Sequence, residues 1–207
     1  MSLETGLIER SDAARPLWLL TQAELPRWLA SQPRAVASWI EAHAFQAERH
    51  RVLTLPDADG AIRGALAGLG PLPTVDALTV WHAAALPDRL PAGEYELATG
   101  LSPEAATRFV LGWLMGSYRF AQYRSGARPR AAALIAPPAA ELAYARAAAR
   151  ALAFARDLIH VGRIETAQSE GACRAEQDCT PALLGLGEIA DAIAADSDRR
   201  LARGRRG

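Results

Sequence analysis

Four histidines, two cysteines and a pair of aspartates are the side chains through which this chain could hold a metal or move a proton. His43, His50, His82 and His160 are scattered, and none stands four residues from another histidine with an acidic partner, the spacing that puts two imidazoles and a base on one helix face. His43 and His50 are seven apart, one face over two helical turns, and the four read as surface or capping residues. Cys173 and Cys179 lie six apart in polar sequence with no histidine pair nearby, short of the four ligands that a structural zinc requires. They read as free thiols, with a disulfide or redox pair as the alternative. Asp57, Asp59 and Gly60 have the start of a calcium loop without its third ligand or its distal glutamate, and so suit a turn. Gly68-Leu69-Gly70 could open a phosphate cradle, but Pro71 follows where a helix N-terminus is needed. No serine or cysteine sits in a nucleophile-elbow pattern. The expectation is a chain with no catalytic, cofactor-binding or metal-binding residue of its own.

Composition narrows the partners. With 207 residues, half of them hydrophobic, the chain can bury the core of one domain with an appended segment. Basic and acidic residues balance at 23 each, and the sequence has no lysine and no asparagine anywhere, so every basic residue is arginine. Zero formal charge gives no field to draw in nucleic acid or an anionic membrane. The N-terminus lacks a cationic start followed by an apolar stretch, and no apolar run approaches the roughly 18 residues of a membrane span. A cytoplasmic protein is expected.

Apolar runs alternate with helical patterns along the chain. Residues 17–20 have strand length, and residues 24–45 carry Leu25, Trp28, Leu29, Val36, Trp39 and Ile40 at helical spacing, with Pro33 dividing them into two helices or a kinked one. Residues 51–55 and 61–69 flank Asp57-Ala58-Asp59-Gly60 as a hairpin. Residues 71–91 are rich in proline and turn residues, which predicts irregular structure around Trp81. Tyr95 and Leu97 alternate with Glu94 and Glu96 as a half-buried strand. Ser102, Pro103 and Glu104 form a well-marked helix start, after which Ala106, Phe109, Val110, Trp113, Leu114 and Phe120 recur on the face expected against a sheet. Gly112 and Gly116 fit close packing better than function. Residues 131–136 read as a strand, and residues 141–159 as an alanine-rich helix with Leu142, Ala145, Ala149, Leu152 and Leu158 along it. Strands alternating with helices, plus one hairpin, predict an α/β fold with a mixed β-sheet flanked by helices.

Several segments then carry a family likeness. Ala106-Thr107-Arg108 through Leu111-Gly112-Trp113 to Gly116-Ser117-Tyr118-Arg119-Phe120 with Tyr123-Arg124, the Arg156-Asp157-Leu158-Ile159 element, Leu66-Ala67-Gly68-Leu69-Gly70, and Leu90-Pro91-Ala92-Gly93-Glu94-Tyr95 resemble, in the same order along the chain, the leucyl (cytosol) aminopeptidases, peptidase B-like subgroup. The likeness covers about residues 15–159 and is to the N-terminal, non-catalytic domain. It implies a macro-domain-like fold over residues 1–159 ending in a long helix, and a divergent, partly disordered tail over residues 160–207, of which only residues 181–195 look structured. Family members are hexameric hydrolases that remove N-terminal amino acids from peptides with two divalent metals, zinc or manganese, held by carboxylates and a lysine in a C-terminal domain. The family's Arg-Asp-Leu-Ile element runs on into an Asn-Thr-Pro-type segment, whereas here His160-Val161-Gly162-Arg163-Ile164 follows, and the family's asparagine-bearing signature has no counterpart. The resemblance thus implies a truncated, inactive relative, its tail a frameshifted or replaced extension. Alternatives are a nucleotide-binding module of macro type, or a chain that self-associates or co-assembles with full-length aminopeptidase subunits. An apolar face left exposed on the helix of residues 141–159 would favour the last.

Overall fold

The computed structural model describes residues 6–118 and 132–173, with side chains described as far as Ile159. Its centre is one six-stranded sheet built from β1 (Leu7–Ile8), β2 (Arg15–Thr21), β3 (Val52–Pro56), β4 (Ile62–Gly70), β5 (Gly93–Leu97) and β6 (Ala132–Ile135). The order across the sheet is β1-β6-β5-β2-β4-β3, and every neighbouring pair is parallel except the β3/β4 hairpin. The mixed sheet is therefore as the sequence predicts. Its central strands read as unbroken apolar runs because both their faces are covered, β4 being buried from Gly64 to Gly70.

Each face has its own layer. Leu17, Leu19, Ala65, Ala67, Leu69, Tyr95 and Leu134 point to one side, where they meet Leu78, Ala83, Leu86, Phe109 and Trp113. Leu20, Leu53, Leu55 and Leu66 point to the other, under Leu25, Ile40, Phe45 and Trp28. The second layer comes from α1 (Leu25–Ala30) and α2 (Arg34–Ala42), two helices divided at Pro33 as predicted. The first comes from α3 (Val80–Ala84), α4 (Leu86–Arg89) and α5 (Pro103–Ser117). At the start of α5 the Ser102 hydroxyl accepts from the Ala105 amide at 3.3 Å, and Pro103 occupies the first turn. Deep in that layer the Trp113 indole N–H donates to the Gly6 carbonyl at 2.8 Å, which ties the start of the described chain to the core.

The region around Trp81 is not irregular. Thr79 caps α3 reciprocally with His82, and Pro87 sits in the first turn of α4, so two short helices form in residues too few to show a period. They are seated against α5 by its glycines: a Cβ on Gly112 would stand 2.1 Å from the Val80 carbonyl oxygen, and one on Gly116 2.0 Å from that of Ala84. Trp81 itself is exposed.

Helix α6 (Leu142–Cys173) continues beyond Ile159, so the residues that follow the family-like stretch are helical at first, contrary to the expectation that only residues 181–195 of the tail are structured. It packs Ala145 and Ala149 on Val110 and Leu114 of α5, which therefore buries apolar residues on two sides and not against the sheet alone. Leu152 and Leu158, expected to share that buried stripe, are exposed, Leu158 lying on the opposite side of the helix and Leu152 at the edge of the stripe. The Tyr118 hydroxyl donates to the Asp157 carboxylate, and Arg156 lies 5.1 Å over the Tyr118 ring. Two of the segments carrying the family likeness thus meet. By proximity the chain divides into Met1–Leu158 and Ile159–Gly207, and the sheet with its layers belongs to the first. Phe120, Tyr123, Arg124, Cys179 and residues 181–195 lie outside the described residues, as do the side chains of His160 and Cys173.

Candidate functional site

In an open α/β sheet the place to look for a ligand is the end where the parallel strands finish. Here that end is occupied by the protein's own polar groups. Thr21, buried at the end of β2, bonds Glu24 through its hydroxyl, with the Glu24 carboxylate at 3.0 Å. Thr99, just past β5, accepts from the Leu19 amide at 2.8 Å and donates to the Leu19 carbonyl at 3.2 Å. Asp76 accepts from the Ser102 amide at 2.9 Å, and Arg108 donates to the carbonyls of Asp76 and Leu78. Each of these side chains satisfies a backbone or neighbouring group.

The most unusual backbone lies beside the end of β4. Between α2 and β3, Ala44, Ala47 and His50 have φ of 46°, 54° and 65°, the left-handed region that costs an L-residue about 1–2 kcal/mol. Three such residues in one loop persist only where surrounding contacts over-determine them. Those contacts are plain. The Gly70 amide donates to the Ala47 carbonyl at 2.9 Å and the His50 amide to the Gly68 carbonyl at 3.0 Å. Arg51 donates to the carbonyls of His43 and Ala44 at 2.5 and 2.9 Å and pairs with Glu48 at 2.5 Å. Arg89 reaches from α4 to the His50 carbonyl at 2.6 Å. The loop lies so close on β4 that a Cβ on Gly68 would stand 2.2 Å from the Glu48 carbonyl oxygen. Gly68 and Gly70 are thus used for backbone approach, not for cradling phosphate.

Within this corner two of the four histidines meet. The rings of His50 and His82 have centroids 6.1 Å apart at 34°. Nδ1 of His82 accepts from the Thr79 amide at 3.0 Å, which fixes its neutral tautomer with the proton on Nε2. Burial, with Arg49 and then His50 nearby, pushes the His82 pKa below the ordinary histidine value. Burial, then Arg49 and Arg89, lowers His50 likewise, and its Nδ1 is buried without a hydrogen-bond partner. Glu48, the nearest carboxylate in the loop, is held low by amide bonds and by Arg51 in spite of its burial. The corner therefore presents two neutral imidazoles in a field of arginines.

That arrangement does not fit a divalent metal. Two imidazoles without a free carboxylate, flanked by guanidinium groups, are a poor donor set for a dication, and among the described residues no three His, Cys, Asp or Glu side chains come together. The remaining sequence candidates are placed as follows. His43 caps α2, its Nδ1 against the Trp39 carbonyl at 2.8 Å. Asp57 accepts from the Asp59 and Ala61 amides at 2.9 and 2.8 Å, the turn expected of it. The sequence reading missed the left-handed loop and the grip of Arg51 and Arg89; the charged run Glu48-Arg49-His50-Arg51 was the only local sign.

Comparison with known proteins accounts for this fold. Residues 15–137 match the family model described as the M17 aminopeptidase, N-terminal domain. A solved cytosol aminopeptidase of Coxiella burnetii is 25% identical, with a TM-score of 0.54 over 63% of this chain and 28% of its own. The bottromycin maturation enzyme BotP, solved in complex with Mn, is 26% identical, with a TM-score of 0.50 over 71% of this chain and 32% of its own. The chain thus spans about a third or less of the length of these relatives. No curated protein matches. The matched residues run from β2 through β6, the whole of the mixed sheet apart from its two-residue edge strand, and on that ground the chain belongs to the M17 aminopeptidase N-terminal domain family.

Proposed function

We propose that these residues serve as the non-catalytic N-terminal domain of an M17-type aminopeptidase, shaping the enzyme and access to its active sites while contributing no residue to the metal centre. The observation that supports this reading is the chemistry of the corner at the end of β4: the histidines that meet there are flanked by arginines that bond the protein's own backbone. The sequence supports it independently, because a metal centre needing lysine, or a signature needing asparagine, cannot be drawn from a chain with neither. By itself the chain does not hydrolyse peptides. The family pattern gives way after Ile159 to a replaced segment, and the cell compartment is the cytoplasm, as the name of the Coxiella relative suggests for that enzyme.

Titration of the purified chain with manganese, followed by calorimetry, tests the metal claim. A flat trace is expected, and saturable one-to-one binding in the micromolar range would overturn it. Sequencing the locus past codon 159 tests the replacement: coding sequence for the family's metal site in another frame supports it, and its absence in every frame removes it. A macro-type nucleotide site is not favoured, since the polar groups at the ends of β2 and β5 are already bonded to the backbone.

A further inference from the structure

The turn between β3 and β4 leaves one carboxyl group unengaged. Asp57 closes the turn: its Oδ1 accepts from the Asp59 and Ala61 amides at 2.9 and 2.8 Å, and its own amide donates to the Ala61 carbonyl at 2.8 Å. The Asp59 side chain is exposed and has no hydrogen-bond or ion-pair partner among the described residues. Gly60 follows it at φ 82°, with nothing within 4 Å of where a Cβ would stand. The Gly60 amide donates to the Asp57 carbonyl at 3.3 Å, long for a bond of this kind, so the nitrogen is loosely held. Of all the aspartates in the sequence Asp59 alone precedes a glycine, and there is no asparagine to compete with it.

We propose that Asp59-Gly60 is a site of spontaneous isoaspartate formation in the folded protein. The Gly60 nitrogen attacks Cγ of the protonated Asp59 carboxyl. A C–N bond forms as the C–OH bond breaks, and the hydroxyl leaves with the amide proton as one water, closing a succinimide. Water then adds back to the ring. Opening between the nitrogen and Cγ restores aspartate, whereas opening between the nitrogen and the Asp59 α-carbonyl carbon routes the main chain through Cβ and Cγ and frees an α-carboxylate. One water is lost and one regained, so no oxidant, reductant or co-reactant is needed. Glycine has no side chain to hinder the approach of its nitrogen, and its backbone rotates with little penalty. Asp57 is the contrast within the same turn, because Ala58 follows it and its carboxylate is tied to two amides. The rearranged chain is longer by one main-chain atom in the loop that sets the β3/β4 register, next to the shift already present between Leu55 and Pro56. Its effect falls on the Pro56–Ile62 pairing at the outer edge of the sheet, while Leu53 and Leu55 remain anchored in the core. The site is independent of the aminopeptidase reading.

Ageing the full chain in warm neutral buffer, then digesting it with trypsin, reads the result in one peptide, since cleavage after Arg51 and Arg63 releases residues 52–63. Two forms of equal mass that separate by chromatography should accumulate over weeks, together with a form lighter by one water. Electron-transfer fragmentation should place the altered linkage at Asp59. Asp59→Glu, whose longer side chain must close a less favourable ring, should lose all three signs. Asp59→Asn should reach the same isoaspartyl product faster, because a neutral amide is a better electrophile than a carboxylate at this pH. A synthetic peptide of residues 52–63 measures the chemistry without the fold. A native chain that stays a single species while the peptide converts overturns the proposal, since the turn then keeps nitrogen and carboxyl apart. Chain and peptide both unconverted, conversion placed at Asp57, or conversion undiminished in Asp59→Glu overturns it as well.

Discussion

His82 and His50 show how a few side chains set the acid limit of this fold. Both have pKa values depressed in the native state, by burial first and by neighbouring arginines next. A histidine held below its unfolded value of about 6.5 contributes fully above that pH and loses its contribution as pH falls, because the unfolded chain binds the proton more readily. Protonation would also take the His82 Nδ1 lone pair from the Thr79 amide that it accepts. Stability measured by urea unfolding is therefore expected to decline as pH drops below about 6.5. His82→Gln, which keeps an acceptor and removes the titration, should show a shallower decline. Equal slopes for the two proteins would exclude the mechanism. Ala44 offers a second test at this scale. It is exposed and left-handed at φ 46°, so Ala44→Gly relieves a strain of about 1 kcal/mol against a smaller gain in unfolded-chain entropy. A rise of about 0.5 kcal/mol in unfolding free energy is expected, where alanine-to-glycine changes ordinarily destabilise.

At the scale of elements, the contact between α5 and the pair α3 and α4 is set by missing side chains. Gly116→Ala places a methyl carbon 2.0 Å from the Ala84 carbonyl oxygen, which only a shift of α3 can relieve. Overpacking of this kind costs about 1–3 kcal/mol. Gly100→Ala, where nothing lies within 4 Å, is the control and should be near neutral in the same urea titration. Such contacts also mark what the sequence could reveal. The β3/β4 hairpin, the division at Pro33 and the start of α5 at Ser102 were legible because each is specified locally, by turn residues, a helix breaker and a cap. The helices around Trp81 were not, because neither is long enough to carry a period and their place depends on Gly112 and Gly116. The exposure of Leu152 and Leu158 was equally hidden, since an alanine-rich helix leaves the choice of inner face to its partner. The left-handed loop of residues 44–50 follows from hydrogen bonds to β4 and from Arg89, all distant in sequence. β1, two residues long, pairs with β6 from the far end of the domain and had no signal of its own.

For the whole molecule, the covered sheet explains how the domain is specified. Both faces of the sheet are packed, and the ends of its parallel strands are closed by Thr21, Thr99 and Asp76. Trp113 joins the start of the described chain to this core through the Gly6 carbonyl. Trp113→Ala is expected to cost about 3–5 kcal/mol, read by urea unfolding, since it opens a large cavity and frees a buried acceptor. What the sequence shows of the candidate site rests on residue types, as with the missing lysine and asparagine, and not on geometry, since His50 and His82 meet only in the fold. The central claim is that this polypeptide supplies scaffold and not catalysis. The most direct measurement is hydrolysis of leucine p-nitroanilide by the purified chain with added manganese. The account predicts a rate equal to that of the protein-free control, and a rate that grows with the amount of chain and disappears with a chelator would contradict it.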